Sequence, residues 1–327
     1  MTDLIHLWKY CHGCGQRPLE GNRFECERCP SGPDRDLCQQ CYQSFQDGRL
    51  EHPARDHFHA PEPREFHSFR AVEGESAERH LPWLAVDQSD APPPSVSKGF
   101  VVRPEFRCGW ESFFGSYAFV VESELSDSPL LITALHVMDE LIKGKNIDCS
   151  SANASYTGDE LPSILTRVNL YDVFVENWAF APLGSAGSMV SLPDARLGEE
   201  EPYCQRDIAA FRLDRDASVC PGKLAGTPTE VGEAVWLVAN PARSTKVEMM
   251  SAVVVESNRE TFVYRLAAGT RDPRSTSGAP LVNCKGEVAG INIGIGWFQG
   301  NHFGHANNAT SIRNHLRTVP CRNAALR

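Results

Sequence analysis

The amino-acid sequence predicts a mainly β protein that carries a small metal-stabilised module at its N-terminal end. The length of 327 residues suits one large domain and a small module. Beyond Phe100, short apolar and β-branched runs alternate with Gly, Pro, Asn and Asp, which is typical of a barrel or a sandwich. Six of the twelve cysteines lie between Cys11 and Cys41 as three Cys-x-x-Cys pairs, a spacing that suits metal ligands in a reducing compartment.

Short β-rich runs that are expected to form strands include residues 117–121, 130–133, 208–211, 234–238, 252–255 and 287–291. Helix is expected only at residues 137–142 and 310–316. The 71 positions that separate His136 from Asp207 form a long gap, and residues 143–205 are interpreted as holding an insertion. Residues 61–99 contain six prolines, three of them consecutive, and are predicted to be a linker between a module at 1–60 and a domain at 100–327.

The overall composition excludes some classes of function. The formal net charge of -10 argues against non-specific nucleic-acid binding. No segment approaches the roughly 18 apolar residues needed to cross a bilayer, and residues 1–10 do not resemble a secretion signal. We therefore expect a cytoplasmic protein with protein or peptide partners and with neither a nucleic-acid nor a membrane partner.

The cysteine pairs and the histidines after them supply eight candidate ligands, enough for two closed tetrahedral zinc sites. A closed site leaves no position for a water molecule, so both ions are expected to be structural. His59 is an alternative to His57 as the last ligand. The eight candidates are Cys11, Cys14, Cys26, Cys29, Cys38, Cys41, His52 and His57.

The runs Asp-Leu-Cys-Gln-Gln-Cys at 36–41 and Gly-Asn-Arg-Phe-Glu-Cys at 21–26 resemble the ZZ zinc-finger family, and the likeness covers residues 6–60. It implies that the two sites interleave. One ion would be held by Cys11, Cys14, Cys38 and Cys41, and the other by Cys26, Cys29, His52 and His57.

The same resemblance implies recognition of a peptide, often by its N-terminal amine, through acidic side chains beside the metal. Asp34 and Asp36 stand where these carboxylates are expected, and capping of a turn explains them equally well. His12 stands where an acidic residue would favour amine binding.

Three segments of the larger domain carry residues suited to nucleophilic catalysis. His136 follows an apolar strand, and Asp207 opens another; each alone is explained as well by an ordinary structural role. Ser277 lies in a turn of small residues that leads into a strand, which lets a backbone N–H lie beside the hydroxyl as an oxyanion hole requires.

The order His, Asp, Ser and the run from Ser277 to Asn292 resemble the chymotrypsin clan, and within it the HtrA-like peptidases, over about residues 100–318. The likeness implies a double β-barrel and a triad in which Ser277 attacks, His136 transfers the proton and Asp207 orients the imidazole. It also implies an oxyanion hole formed by the N–H groups of Ser275 and Ser277. Position 275 is usually glycine in that family.

The resemblance further implies a substrate-binding cleft edge at Asn292, Ile293 and Gly294. Arg271 lies six residues before Ser277, at the expected floor of the specificity pocket, where a guanidinium favours an acidic substrate residue. The alternative, that the Arg271 side chain points into solvent and not into the specificity pocket, explains the sequence equally well. In the trypsinogen route of activation, a newly cut N-terminus pairs with a carboxylate directly before the nucleophilic serine. That position is Thr276 here, so activation by this route is not expected.

Two classes of function follow. The leading hypothesis is a serine endopeptidase whose zinc module recognises a peptide or protein partner. The alternative is a protease-fold binding or scaffold protein with weak or no activity, which Ser275 favours. A fluorophosphonate probe distinguishes them.

Overall fold

The computed structural model describes residues 4–28, 36–50, 67–88, 90–108, 111–123, 128–138, 165, 167–174, 181–190, 207–241 and 246–317. These residues divide into two compact units. The first comprises the chain up to Ala85 together with Gly296–Phe303, and the second comprises the other described residues.

Two small sheets and a helix form the first unit. One sheet has the order β2-β1-β6, built from β1 (Leu4–His6), β2 (Leu19–Glu20) and β6 (Glu75–Ser76). The other has the order β4-β3-β5, built from β3 (Arg23–Cys26), β4 (Asp36–Cys38) and β5 (Phe69–Val72). Helix α1 (Gln39–Gln46) follows β4, and a 3-10 turn (Ala77–His80) leads into the short α2 (Leu81–Leu84).

The segment 61–99, predicted as a linker, contributes to both units. Strands β5 and β6 pair with β3 and β1, and Phe69 packs against Tyr42 and Phe45. The linker prediction for this part was wrong because it rested on the six prolines. All of them lie outside these two strands, at residues 61–63, 82 and 92–94. Within this segment, the described residues from Val86 to Gly99 group instead with the second unit.

A barrel of antiparallel strands forms the first half of the second unit. Its strand order is β11-β12-β13-β10-β9-β7, and pairing of β11 with β7 closes it, while β8 extends β7 as a hairpin. The strands are β7 (Val101–Cys108), β8 (Glu111–Phe114), β9 (Ala118–Val121), β10 (Leu130–Thr133), β11 (Arg167–Asp172), β12 (Pro182–Val190) and β13 (Ala209–Leu213).

A second closed barrel follows, with the order β14-β15-β16-β19-β18-β17. Its strands are β14 (Ala234–Ala239), β15 (Glu248–Ser257), β16 (Thr261–Leu266), β17 (Pro280–Asn283), β18 (Val288–Phe298) and β19 (Asn301–Asn308), and helix α3 (Ala309–Arg317) follows directly. The molecule is therefore mainly β with two six-stranded barrels, the double-barrel architecture that the resemblance implied.

The structure departs from the expected elements in several places, among them helices α1 and α2, where no helix was expected. The segment 143–205 supplies two barrel strands, β11 and β12, so its described part is integral to the fold. Residues 135–138 form a 3-10 turn where a helix was expected from 137, and residues 139–142 lie outside the described residues. Strand β19 was not predicted because its sequence, Asn-His-Phe-Gly-His-Ala-Asn-Asn, is polar although most of it is buried.

Candidate active site and metal centre

Strand register brings His136 and Asp207 together. Strands β10 and β13 are antiparallel neighbours in which Thr133 lies opposite Ala209. The chain leaves β10 at Thr133 and enters β13 at Ala209, so residues just after the one lie beside residues just before the other. Leu135 and Met138, both fully buried, anchor the 3-10 turn that carries His136 between them.

Both carboxylate oxygens of Asp207 contact His136. Oδ1 accepts a hydrogen bond from the backbone N–H of His136 at 2.9 Å, and Oδ2 lies 2.6 Å from Nδ1. An ionised carboxylate only accepts, so Nδ1 carries the proton and Nε2 of the neutral ring is left as the acceptor. Asp207 is fully buried while 28% of the His136 side chain is exposed, which is the arrangement of an oriented general base.

The Ser277 turn is held against the first barrel at the end of β10. The backbone N–H of Tyr117 donates to the carbonyl of Ser277 at 3.2 Å, and Thr133 Oγ1 donates to the carbonyl of Tyr117 at 2.6 Å. Gly278 has a φ of +79°, and a Cβ there would lie 2.2 Å from the Tyr117 carbonyl oxygen. Only glycine fits so close an approach, which explains the Ser-Gly pair.

The backbone at Ser275 has a conformation that is rare for a residue with a side chain. Ser275 has a φ of +64°, in the left-handed region, which disfavours a residue with a side chain by about 1–2 kcal/mol. In the part of the chain that the structure describes, no backbone carbonyl accepts from the N–H of Ser275 or Ser277. An oxyanion hole formed by these two N–H groups stays a prediction.

The predicted cleft-edge residues lie on β18, and all three are buried. Asn292 is fully buried, Ile293 is 1% exposed and Gly294 is buried. The side chain of Asn292 bonds to Tyr264 and Thr276, so it is not presented to a substrate. Backbone groups of the strand bind the nucleophile turn instead, since the Gly278 N–H donates to the Asn292 carbonyl at 2.8 Å.

Arg271 is largely exposed and forms an ion pair with Glu248, with Nη1 of the guanidinium 3.1 Å from Oε1 of the carboxylate. The carboxylate already compensates the guanidinium charge. A preference for acidic substrates through Arg271 stays a prediction, and this pairing does not favour it.

A third titratable group, His305, was not identified from sequence. It lies on β19, is 2% exposed and lies within electrostatic reach of Asp207. Burial lowers its pKa to about 4, although the Asp207 carboxylate opposes that shift. His305 is therefore neutral at pH 7.

Four cysteine sulfurs converge in the first unit. The sulfur atoms of Cys11, Cys14, Cys38 and Cys41 all lie within 4.8 Å of one another. The Cys14 and Cys38 sulfurs are 3.9 Å apart, close to the roughly 3.8 Å edge of a tetrahedron with 2.3 Å zinc–sulfur bonds. Burial raises the pKa of the Cys41 thiol, and the Cys38 N–H donates to the Cys11 sulfur at 3.2 Å. Four sulfur ligands at this spacing form a donor set that fits zinc.

Local backbone explains how the first Cys-x-x-Cys pair is presented. The N–H of Gly15 donates to the carbonyl of Cys11 at 2.7 Å and closes a tight turn. A Cβ on Gly13 would lie 2.8 Å from the Cys41 sulfur, so the turn can approach the opposite ligand only with glycine there.

A second candidate metal position surrounds Cys26, where the structure adds His67. The Nδ1 atom of His67 lies 3.5 Å from the Cys26 sulfur. Cys29, His52, His57 and the alternative His59 lie outside the described residues. Sequence reasoning missed His67 because it lies in the segment predicted as a linker. The pairing of β5 with β3, which no local sequence pattern indicates, brings it beside Cys26.

The predicted partner-binding carboxylates are only partly described. Asp34 lies outside the described residues. Asp36 is fully buried, with its Oδ1 3.1 Å from Nη1 of Arg23. This carboxylate is engaged inside the module and is not available to a partner in this conformation.

Each of the two parts of the chain matches the model of a known protein family. The trypsin-like peptidase domain model matches residues 115–291, and the ZZ-type zinc finger model matches residues 6–50. The first match spans more than half of the sequence, so the chain belongs to the family of trypsin-like peptidase domains, and it carries a ZZ zinc finger. No curated protein matches it significantly.

Several solved proteases are similar in structure. The active form of the Rv3671c protease from M. tuberculosis has 14% identity, with 72% of this chain and 92% of that chain covered and a TM-score of 0.42. A serine endoprotease from Yersinia pestis has 15% identity, with 67% and 64% covered and a TM-score of 0.41. The MamO protease domain from Magnetospirillum magneticum has 16% identity, with 66% and 95% covered and a TM-score of 0.40.

The helices in the described ranges give no candidate for a membrane span, since none of them is both long and apolar enough.

Proposed function

We propose that this chain is a serine endopeptidase that hydrolyses peptide bonds with the triad His136, Asp207 and Ser277. The observation that carries the proposal is the pair of contacts from buried Asp207 to the backbone and ring of His136, which fixes the tautomer that a general base needs. Membership of the trypsin-like peptidase family and the shape of the turn at Ser275–Gly278 support it.

The chemistry follows from this arrangement. Nε2 of His136 takes the proton of the Ser277 hydroxyl while the oxygen attacks the substrate carbonyl carbon. The carbonyl oxygen becomes an oxyanion that the N–H groups of Ser275 and Ser277 bind, and Asp207 stabilises the imidazolium. Collapse breaks the C–N bond as His136 returns its proton to the leaving amine. A water molecule, deprotonated in the same way, then hydrolyses the acyl-enzyme and regenerates Ser277.

Hydrolysis of an internally quenched peptide library tests the proposal. We expect Ser277→Ala to reduce kcat on the order of 10⁴ to 10⁶-fold, because it removes the nucleophile and little packing. Ser97→Ala is the matched control, since Ser97 is an exposed serine of the same unit. Equal turnover by all three proteins would refute the triad; no turnover by any of them would favour the alternative of a binding protein.

We also propose that the first unit is a structural zinc module that holds two ions and captures a peptide segment of the substrate. The cluster of four cysteines fits one ion, and the position of His67 beside Cys26 supports the second. The family likeness supports peptide recognition.

Substrate capture is tested with a chain that begins at Val86. This start keeps the hydrogen bond from Arg265 to the Val86 carbonyl and that from Gln88 to Ser251, both within the second unit. We expect the shortened chain to cleave a short peptide as fast as the full chain but to lose its advantage on a protein substrate. The ratio to compare is kcat/KM on the protein substrate divided by kcat/KM on the short peptide. An equal ratio in the full and the shortened chain would contradict capture.

A further inference from the structure

A line of buried polar side chains runs behind the nucleophile turn. The hydroxyl of Tyr264 donates to Oδ1 of Asn292 at 2.9 Å. Nδ2 of Asn292 donates to the carbonyl and to Oγ1 of Thr276, both at 3.0 Å. Oγ1 of Thr276 donates in turn to the carbonyl of Pro273 at 2.7 Å. Tyr264 and Asn292 are fully buried and Thr276 is 1% exposed.

The direction of these hydrogen bonds is fixed by the two carbonyl groups in the line. A carbonyl only accepts, so the Thr276 carbonyl orients the Asn292 amide with its nitrogen toward the turn. Its oxygen then faces Tyr264, whose hydroxyl must donate. Burial raises the pKa of the Tyr264 phenol well above its ordinary value, so this donor keeps its proton.

The Thr276 carbonyl belongs to the same peptide group as the N–H of Ser277. In a trans peptide the C=O and N–H point to opposite sides, so a carbonyl held toward the interior directs that N–H outward. Two donors hold this carbonyl, Nδ2 of Asn292 at 3.0 Å and the N–H of Ala279 at 3.0 Å. The orientation of one oxyanion donor thus depends on the side chain of Asn292.

The turn needs such support because Ser275 holds a φ of +64°, which a residue with a side chain rarely adopts. A strained conformation persists only where its surroundings determine it. Gly304 makes room for the phenol: a Cβ there would lie 2.0 Å from Tyr264 Cζ and 2.2 Å from its hydroxyl.

We propose that Tyr264 and Asn292 are positioning residues that hold the Thr276–Ser277 peptide with its N–H toward the oxyanion. The proposal rests on the proposed peptidase function. Neither side chain contacts the substrate, so both act on the transition state through the turn.

Steady-state hydrolysis by full-length Tyr264→Phe tests the proposal, with Tyr171→Phe as the matched control. The control also removes a hydroxyl hydrogen bond, to Glu105 in the first barrel at 3.0 Å. We expect Tyr264→Phe to lower kcat about 10-fold with KM changed less than 2-fold, as for loss of an interaction made only in the transition state. Affinity for a peptide boronate should fall by the same factor, while affinity for an uncleaved peptide should not change.

Variants of Thr276 give a second test that keeps Tyr264 in place. Thr276→Val removes the hydroxyl and should lower kcat at least 10-fold, whereas Thr276→Ser keeps the hydroxyl and should restore most of it. If the wild type is active and both Tyr264→Phe and Thr276→Val hydrolyse the peptide as fast as Tyr171→Phe, the positioning role is refuted. The proposed peptidase function would stand in that case. Wild type as inert as Ser277→Ala would refute the proposed function, and this proposal with it.

Discussion

At the scale of single residues, Asp207 is constrained by two donors on one neighbour. Its Oδ1 and Oδ2 face the backbone N–H and Nδ1 of His136. An asparagine has a single acceptor oxygen, so in either orientation its NH₂ group faces one of these donors. That conflict tilts the imidazole or forces the other tautomer.

We therefore predict that Asp207→Asn lowers kcat by about 10⁴-fold while the protein remains folded. The measurement is hydrolysis of the preferred library peptide, with the thermal midpoint recorded in parallel. Asp214→Asn, which changes an acid bonded to Ser185 in the first barrel, is the control and should keep its activity. A fully active Asp207→Asn enzyme would show that this carboxylate does not orient the base.

Ser275 carries the second prediction at this scale. Glycine adopts positive φ without steric penalty, whereas a β-branched residue is strongly disfavoured there. We expect Ser275→Gly to react with a fluorophosphonate at least as fast as wild type, and Ser275→Val to react at least 10-fold more slowly. A faster Ser275→Val would mean that the active turn is not the one described here.

At the scale of elements, the sequence indicates those strands that are buried on both faces and therefore apolar at nearly every position. Strands β9 and β10 are buried at every position and stand out as the runs Ala-Phe-Val-Val and Leu-Leu-Ile-Thr. Strand β12 contains two glycines and two serines and gives no such signal. Its conformation depends on its neighbours β11 and β13, which only the folded barrel supplies.

The candidate site divides in the same way. The triad His136, Asp207 and Ser277 and the grouping of the four clustered cysteines were predicted through the resemblance of local motifs to two known families. The positions of His67 and His305 and the role of Asn292 depend on how the strands assemble. Asn292 on β18, for example, meets Tyr264 on β16 only once the second barrel has formed. Such long-range pairings leave no local pattern in a single sequence.

Zinc content tests the metal sites of the small module. We predict two zinc ions per chain in wild type and one in Cys14→Ser, which breaks the four-cysteine cluster. Cys26→Ser and His67→Ala should each also leave one. Cys284→Ser, at an exposed cysteine of the second barrel, should retain two. Elemental analysis of protein purified without chelators measures this; two ions in His67→Ala would remove His67 as a ligand.

At the scale of the whole molecule, buried histidines couple stability to pH. His305 has a folded pKa of about 4 against an ordinary value of 6.5, so the unfolded chain binds its proton first as pH falls. Its stabilising contribution is complete above about pH 6.5 and is lost as the pH falls toward 4, by up to about 3 kcal/mol.

We expect the urea midpoint to fall between pH 7.5 and pH 4.5, and to fall less in His305→Asn. His315→Asn, at a partly exposed histidine of helix α3, should follow wild type. Equal pH dependence in all three proteins would contradict a neutral buried His305.

The central claim is that Ser277 is the nucleophile that His136 and Asp207 activate. The most direct measurement is the mass of the native protein after reaction with a fluorophosphonate, followed by location of the adduct in a digest. We predict one adduct per chain on the peptide that contains Ser277, none in Ser277→Ala, and loss of labelling when the protein is unfolded first. An adduct on another residue, or equal labelling of Ser277→Ala, would contradict the account.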